Sequence, residues 1–172
     1  SSLLTSAQTL IMMLARSQMD SVLSWTMGSF SSSSYEKLAW AAPLIIIGCI
    51  LLFILARPLD LMLMGSTQAA HMGVNVKRTT IGIMFLTALV CSAAVAISGI
   101  ISFVGLIIPH ILRLLVGPGH RRLIPLSFIV GAAFMTLTDL LARTLAAPVS
   151  LPVGLFTSIL GAPFFLWLYR RR

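Results

Sequence analysis

The sequence is poor in charged residues, and acidic residues are the rarest of these. Only 9% of its 172 residues are Asp, Glu, Lys or Arg, and only four are acidic. Soluble globular domains carry about 25% charged residues, and disordered chains combine low hydrophobicity with high net charge. The present chain is 58% hydrophobic, with a mean hydropathy of +1.03. These values exclude a water-soluble fold and a disordered chain, and they favour a membrane protein.

Residues and motifs that carry enzyme chemistry are equally scarce. The two cysteines each lie inside an apolar run, which argues against a disulfide scaffold or a thiolate metal cluster. The sequence contains neither a Gly-x-x-x-x-Gly-Lys-Ser/Thr loop nor a His-Glu-x-x-His motif. The acidic residues lie too far apart in sequence to suggest paired carboxylates for acid–base chemistry. We therefore predict a protein that is not an enzyme and has no catalytic, cofactor-binding or metal-binding residues.

The apolar residues are concentrated in long runs, which is typical of transmembrane helices. About 20 apolar residues cross a bilayer. The predicted segments are Leu38–Ala56, Thr79–Ser98, Leu106–Val116, Leu123–Ala142 and Val153–Tyr169. Leu3–Ala15 is too short to cross alone and follows no charged leader, so we interpret it as the tail of a helix from a longer protein. Residues 1–172 are thus expected to form one all-α, polytopic membrane domain with about five full spans and one partial span.

The basic residues predict how the chain is oriented in the lipid bilayer. The net charge is +8, but the basic residues lie between apolar runs and form no patch interleaved with aromatics, so we expect no nucleic-acid partner. If Arg57 lies inside, eight basic residues are cytoplasmic and three are external, as the positive-inside rule favours. The cytoplasmic set is Arg57, Lys77, Arg78, Arg121, Arg122, Arg170, Arg171 and Arg172, and the external set is Arg16, Lys37 and Arg143. Residues 16–37 are then an external segment, in which Asp20–Gly28 is predicted to form a short helix.

Residues 57–78 form a polar segment between two predicted spans, on the cytoplasmic side. We predict two short helices, Leu59–Met64 and Ser66–Met72, hinged at Gly65 and ended by Gly73. Exposed short helices with small side chains suit a surface that binds a partner. An ordinary loop is the alternative, although the segment is long for a connection without a function.

Two further features carry alternative interpretations. Asp139 and Arg143 are four residues apart and share a helical face. They form either a self-sufficient ion pair at the outer helix end or a docking point for an acidic partner, and both can hold together. Gly99 and Gly105 bound a predicted break before a short helix.

That short helix contains Pro109, His110 and Arg113. Pro109 is expected to bend it because proline lacks a backbone donor. His110 is either a metal ligand or pH switch, or a structural hydrogen-bonding group, and the structural role is favoured.

Eight short motifs, in order along the chain, resemble the C-terminal half of permease subunits of FecCD-type ABC importers. That family takes up iron-siderophores, haem and cobalamin. The motifs are Trp25-Thr-Met-Gly-Ser-Phe30, Gly65 with Ala69-Ala-His-Met-Gly73, Gly99 through Arg113, Gly119-His-Arg121, Gly131-Ala132, Asp139-Leu-Leu-Ala-Arg143, Leu151-Pro-Val-Gly154 and Gly161-Ala-Pro-Phe164.

The resemblance implies a fragment of a ten-helix type II permease in a bacterial inner or plasma membrane. Such a subunit pairs with a second permease subunit, two cytoplasmic ATPase subunits and an external substrate-binding protein. The family's ATPase-coupling segment corresponds here to Gly65, Gln68, Ala69, Ala70, His71, Gly73, Val74 and Asn75. The family's docking arginine corresponds to Arg143, with Asp139 beside it, and the helix break to Gly99, Gly105, Pro109, His110 and Arg113.

Two other classes of membrane protein compete with this interpretation. A secondary transporter of metal or organic ions would use His71, His110 and the nine methionines. Such transporters usually need ionisable residues at the membrane midplane, and the spans Leu38–Ala56 and Thr79–Ser98 contain none. A purely structural membrane subunit would leave the two glycine-rich motifs unexplained.

Overall fold

The computed structural model describes residues 2, 5, 6, 9, 19–31, 33–145 and 151–170, and most of these residues are helical. Residues 2, 5, 6 and 9 are helical, and no strand occurs among the described residues, which confirms the all-α prediction. From residue 19 onward, the helices are α1 (Met19–Thr26), α2 (Tyr35–Ile54), α3 (Ala56–Met62), α4 (Ser66–His71), α5 (Val76–Ser98), α6 (Val104–Val116), α7 (His120–Thr144) and α8 (Val153–Arg170).

Three of these helices, α2, α5 and α7, are long and apolar enough to cross a membrane. Helix α6 has 13 residues, or about 20 Å at 1.5 Å per residue, against a hydrocarbon core of about 30 Å. The apolar part of α8, Val153–Leu168, is also too short by the same measure. Three of the five expected full spans are therefore supported. The expected partial span Leu3–Ala15 lies outside the described residues, apart from Thr5, Ser6 and Thr9.

Two helices begin earlier than the sequence suggested. Helix α2 starts at Tyr35, because the Ser34 side chain accepts a hydrogen bond from the Lys37 backbone N–H at 3.3 Å and caps it. Helix α3 starts at Ala56, although Leu59 was predicted as its first residue. Pro58 fits within this first turn because the first N–H groups of a helix have no partner inside it.

The predicted break between Gly99 and Gly105 is shorter than expected. Helix α5 ends at Ser98, and the next residue, Gly99, has a φ of +71° that favours glycine. Phe103 adopts a left-handed conformation with φ +68°, and its carbonyl accepts hydrogen bonds from the N–H groups of Leu106 and Ile107, both at 2.9 Å. Helix α6 therefore begins at Val104, and Gly105 lies inside it rather than at the boundary of the break.

The helices pack in neighbouring pairs. Helix α2 lies along α5, α6 lies along α7, and α3 packs against α7. A Cβ at Gly48 of α2 would overlap the Val90 side chain of α5, so glycine permits this close approach. The clearest buried apolar cluster joins α6 to α7 through Ile108, Leu112 and Leu123. No residue of α5 is buried, so its faces away from α2 are available to lipid or to further protein.

Helix α1 is held against the break after α5. The Ser29 N–H donates to the Ser98 carbonyl at 2.9 Å, and the Gly154 N–H donates to the Gly28 carbonyl at 3.1 Å. A side chain at Gly99 would overlap the Trp25 carbonyl. The predicted short helix in the external segment is thus confirmed, with Gly28 beyond its end at φ +75°.

Candidate functional site

The predicted two-helix arrangement of the polar segment is present. Helices α3 and α4 are separated by residues 63–65, and Gly65 directly precedes α4 with φ +109°. No atom lies within 4 Å of a Cβ placed at Gly65, so backbone conformation and not crowding favours glycine there. Gly65 therefore lies at the junction of the two short helices, where the hinge was predicted.

Gly73 ends α4 in a well-defined hydrogen-bonded motif. The Val74 N–H donates to the Ala69 carbonyl and the Gly73 N–H donates to the Ala70 carbonyl, each at 3.0 Å. These two bonds, with φ +86° at Gly73, form a Schellman motif. The prediction that Gly73 ends this helix is confirmed.

The predicted coupling residues divide into an exposed set and an anchoring set. Ala69 is completely buried, so it supports the surface from below and offers no contact itself. Asn75 is the N-cap of α5, and its side chain accepts a hydrogen bond from the Arg78 N–H at 3.1 Å. Val74 is half-buried. Asn75 is exposed too, but its side chain is engaged in the cap of α5. The other exposed coupling residues, which we call the α4 surface, are Gly65, Gln68, Ala70, His71 and Gly73.

A contact that the sequence did not reveal joins this segment to α7. Asp60 Oδ1 on α3 accepts a hydrogen bond from the His120 backbone N–H at 2.6 Å. The same oxygen lies 2.8 Å from His120 Nδ1. The side chains of Asp60 and His120 are 34% and 19% exposed. We call this pair the Asp60–His120 link.

The link caps the beginning of α7. The residue before the helix, Gly119, has no side chain to accept from the first N–H groups. The Gly119 carbonyl accepts from Arg122 at 3.2 Å and from Leu123 at 3.1 Å, whereas His120 turns to Asp60. The one signal in the sequence was Gly119, which precedes α7 and has no side chain to cap it. This could have suggested that a distant residue accepts a hydrogen bond from the first turn.

The electrostatic environment of Asp60 favours its ionised form. Partial burial acts to raise the pKa of its carboxyl group. Hydrogen bonds from the backbone and ring of His120, the charge of His120 and the Arg121 backbone N–H act in the opposite direction, and the pKa lies below its usual value of 3.8. The positive end of the α7 dipole favours the same negative charge. Asp60 is thus a charged cap.

The predicted pair at the far end of α7 is formed. Arg143 Nε donates to Asp139 Oδ2 at 2.8 Å. The Arg143 side chain is 54% exposed and that of Asp139 is 25% exposed. Asp139 therefore holds the guanidinium while other donors of Arg143 remain available to a partner.

An open cavity of about 850 Å³ lies at the same end of α7. Its lining is mainly apolar and comes from α2, α5 and the residues after α1. Arg143 is the charged residue of the lining that the structure describes, and Tyr35, Cys91 and Ser98 are among its polar residues. The pair with Asp139 therefore lies at the edge of a recess rather than on a flat surface.

The residues of the predicted helix break lie in or beside α6. Pro109 lies inside α6, and Arg113 is exposed near its end, where its carbonyl accepts from the Gly117 N–H at 3.1 Å. The His110 ring packs edge-on against Phe164 of α8, with ring centroids 6.0 Å apart. The structural role expected for His110 thus rests on ring packing. Among the described residues, no group of His, Cys, Asp and Glu could hold a metal ion.

The two candidate sites lie at opposite ends of one helix. His120 is the first residue of α7 and Arg143 is its penultimate residue. A helix of this length extends about 1.5 Å per residue, so the two ends are roughly 35 Å apart. Helix α7 thus connects the α3–α4 segment to the Asp139–Arg143 pair.

Comparison with known proteins gives one family along nearly the whole chain. The model of the FecCD transport family matches residues 1–171. The hemin transport system permease protein HmuU of Yersinia pestis is 44% identical over 148 residues, covering 86% of this chain and 44% of that protein. The cobalamin import system permease protein BtuC of Halobacterium salinarum is 41% identical over 148 residues, covering 86% and 40%.

A solved structure has a similar fold. It is described as an inward-facing conformation of an ABC transporter of the metal-chelate type, and the TM-score is 0.84 at 33% identity. The match covers 99% of this chain and 56% of that one. The chain thus spans about half the length of the relatives it matches.

Proposed function

Because the chain belongs to the FecCD transport family, we propose that it forms the C-terminal half of a permease subunit in an ATP-driven importer. The proposed ligand class is a metal chelate, such as an iron-siderophore or haem, or cobalamin. The named relatives and the similar structure support this class, since they are permeases for hemin and cobalamin and a transporter of the metal-chelate type. The complete subunit would be a ten-helix permease of a bacterial inner or plasma membrane.

The single observation that carries the proposal is the arrangement of sites along α7. This helix is long and apolar enough to cross a membrane. Its first residue contacts the α3–α4 segment, and its last turn carries the Asp139–Arg143 pair. An importer driven by ATP must connect a cytoplasmic ATPase to an external ligand carrier, and these two ends are suited to that task.

On the cytoplasmic side, the α4 surface is the proposed contact for the ATPase subunit. Its exposed residues have small or uncharged side chains on a short helix that is hinged at Gly65 and ended at Gly73. Gly65 and Gly73, both with positive φ, separate α4 from α3 and α5 along the chain. The short helix can therefore bind in a groove of a partner. ATP hydrolysis belongs to the partner, and this chain acts as the conduit.

On the external side, Arg143 is the proposed contact for the substrate-binding protein. Asp139 fixes the guanidinium through Nε, which leaves the terminal nitrogens to receive a carboxylate. A second permease subunit would cover part of the exposed apolar faces, and lipid would cover the rest. Secondary transport is disfavoured because α2 after Lys37 and α5 after Arg78 carry no ionisable acid or base for ion coupling.

The proposal is tested by reconstituting the full-length protein in liposomes with the ATPase and binding protein encoded beside its gene. We expect accumulation of one ligand among a ferric siderophore, haem and cobalamin, and only with ATP on the ATPase side. The control is the same complex assembled with an ATPase subunit that a substitution has made inactive. ATP-independent uptake driven by an ion gradient would contradict the proposal and favour a secondary transporter.

A further inference from the structure

We propose that Asp60 is a positioning residue that transmits movement of the α4 surface to α7 and, through α7, to the Asp139–Arg143 pair. This inference rests on the proposed function, since it supposes an ATPase at one end and a binding protein at the other. It assigns the transmission between them to the Asp60–His120 link.

The link joins the helix before the α4 surface directly to the first residue of α7. Asp60 is on α3, five residues before the Gly65 hinge and the α4 surface. Its carboxylate contacts His120, the first residue of α7, across 60 residues of sequence. A displacement of α4 that carries α3 with it therefore acts directly on the start of α7.

Helix α7 depends on this contact at its first turn. Its preceding residue, Gly119, provides no side-chain cap, and within the described part of the chain the His120 N–H donates to Asp60. One oxygen, Oδ1, takes both the backbone N–H at 2.6 Å and the ring Nδ1 at 2.8 Å. Two contacts to one oxygen fix the direction of the carboxylate as well as its distance.

Packing behind the link makes α7 move as one body with its neighbours. Leu123, one turn into the helix, is buried against Ile108 and Leu112 of α6. Ala56, one turn before Asp60 on α3, is also buried. Helix α7 is continuous from His120 through Pro125 to Thr144, so a shift at its beginning reaches Asp139 and Arg143.

The inference is tested by the effect of ATP on docking of the binding protein. The measured quantity is the ratio of its Kd for the reconstituted full-length complex without and with ATP, under EDTA to prevent hydrolysis. Coupling between two sites is commonly fivefold or more in affinity, and we expect a ratio of at least about fivefold in the wild type. Asp60→Ala should bring this ratio close to one.

Conservative variants and a matched control separate transmission from stability. Asp60→Asn keeps an oxygen that accepts from the His120 N–H and should retain most of the ratio. His120→Ala, which keeps the backbone contact but loses the ring, should lie between. Glu36→Ala removes an exposed acid from the first turn of α2 and should leave the ratio unchanged. A merely structural role for Asp60 would lower the Tm and the yield without changing the ratio.

The outcomes distinguish this inference from the function on which it rests. A normal ratio in Asp60→Ala, with a normal ratio in Asp60→Asn, overturns the link while the importer stands. If Asp60→Ala does not assemble, an unchanged ratio in His120→Ala together with a lost ratio in Asp60→Asn also overturns it. A wild-type complex that binds no binding protein and hydrolyses no ATP overturns the proposed function itself.

Discussion

Arg143 Nε and Asp139 Oδ2 lie 2.8 Å apart, one helical turn from each other in the last two turns of α7. The pair is partly exposed, with Arg143 more exposed than Asp139. Such a pair stabilises a helix only slightly, by about 0.3–0.5 kcal/mol. Its larger consequence is orientation, since the guanidinium is held in one direction for a second carboxylate.

We predict that Arg143→Glu weakens docking of the binding protein more than Arg143→Ala does. The alanine change removes one exposed charge contact, worth about 1 kcal/mol or less, whereas glutamate adds repulsion against an acidic partner and against Asp139. The Kd measured at low and high salt checks this, since screening should reduce both effects. If Arg143→Glu leaves the affinity and its salt dependence unchanged from the wild type, Arg143 is only a helix-end residue paired with Asp139.

Gly73→Leu should reduce ligand-stimulated ATP hydrolysis and transport together. Gly73 has φ +86°, where a side chain costs about 1–2 kcal/mol. The N–H groups of Gly73 and Val74 form the Schellman motif that ends α4. The added side chain meets no neighbouring atom, so the expected effect comes from distortion of the α4 surface. Gly82→Leu is the matched control, because Gly82 is helical and equally uncrowded. Normal stimulated hydrolysis in Gly73→Leu would contradict the role of this surface.

The Asp60 carboxylate should contribute stability that is lost only in acid. Partial burial raises the pKa of Asp60, but the hydrogen bonds at the start of α7 outweigh it and hold the pKa below 3.8. A lowered pKa in the folded state means that the contribution is complete above the unfolded value and disappears as the pH falls through the folded value. Removal of a helix cap costs about 1 kcal/mol.

We therefore expect Asp60→Ala to lower the Tm of the purified full-length protein by a constant amount at neutral pH. The difference should shrink as the pH falls from the ordinary pKa of 3.8 through the lower pKa of the folded carboxylate. A difference that is the same at every pH would show that the Asp60 charge has no part in the cap.

The predicted orientation is checked by labelling single cysteines in intact cells. Cys49 and Cys91 are first replaced by alanine, and Ser33→Cys and Ser66→Cys are compared as matched exposed serines. A membrane-impermeant thiol reagent should label residue 33 from outside and residue 66 only after permeabilisation. Labelling of residue 66 from outside would reverse the topology inferred from the basic residues.

The local features of this chain were predictable because they depend on short-range chemistry. Gly65 and Gly73 mark the limits of α4, and Asp139 and Arg143 meet because four residues make one helical turn. The start of α3 was missed because Pro58 is tolerated in a first turn.

The Asp60–His120 link could not be predicted, since it depends on how α3 packs against α7 across 60 residues. The burial of Ala69 was missed for the same reason. Both positions depend on tertiary packing, which leaves no periodic signal in a single sequence.

The most direct test of the account is crosslinking from the two ends of the membrane domain in one assembled transporter. Gln68→Cys lies on the α4 surface, and Thr144→Cys lies beside Arg143, and both positions are exposed. With a bifunctional thiol-to-amine reagent, residue 68 should crosslink to the ATPase subunit alone and residue 144 to the substrate-binding protein alone. Crosslinking of residue 68 to the binding protein, or of residue 144 to the ATPase, would contradict the central claim that α7 connects these two partners across the membrane.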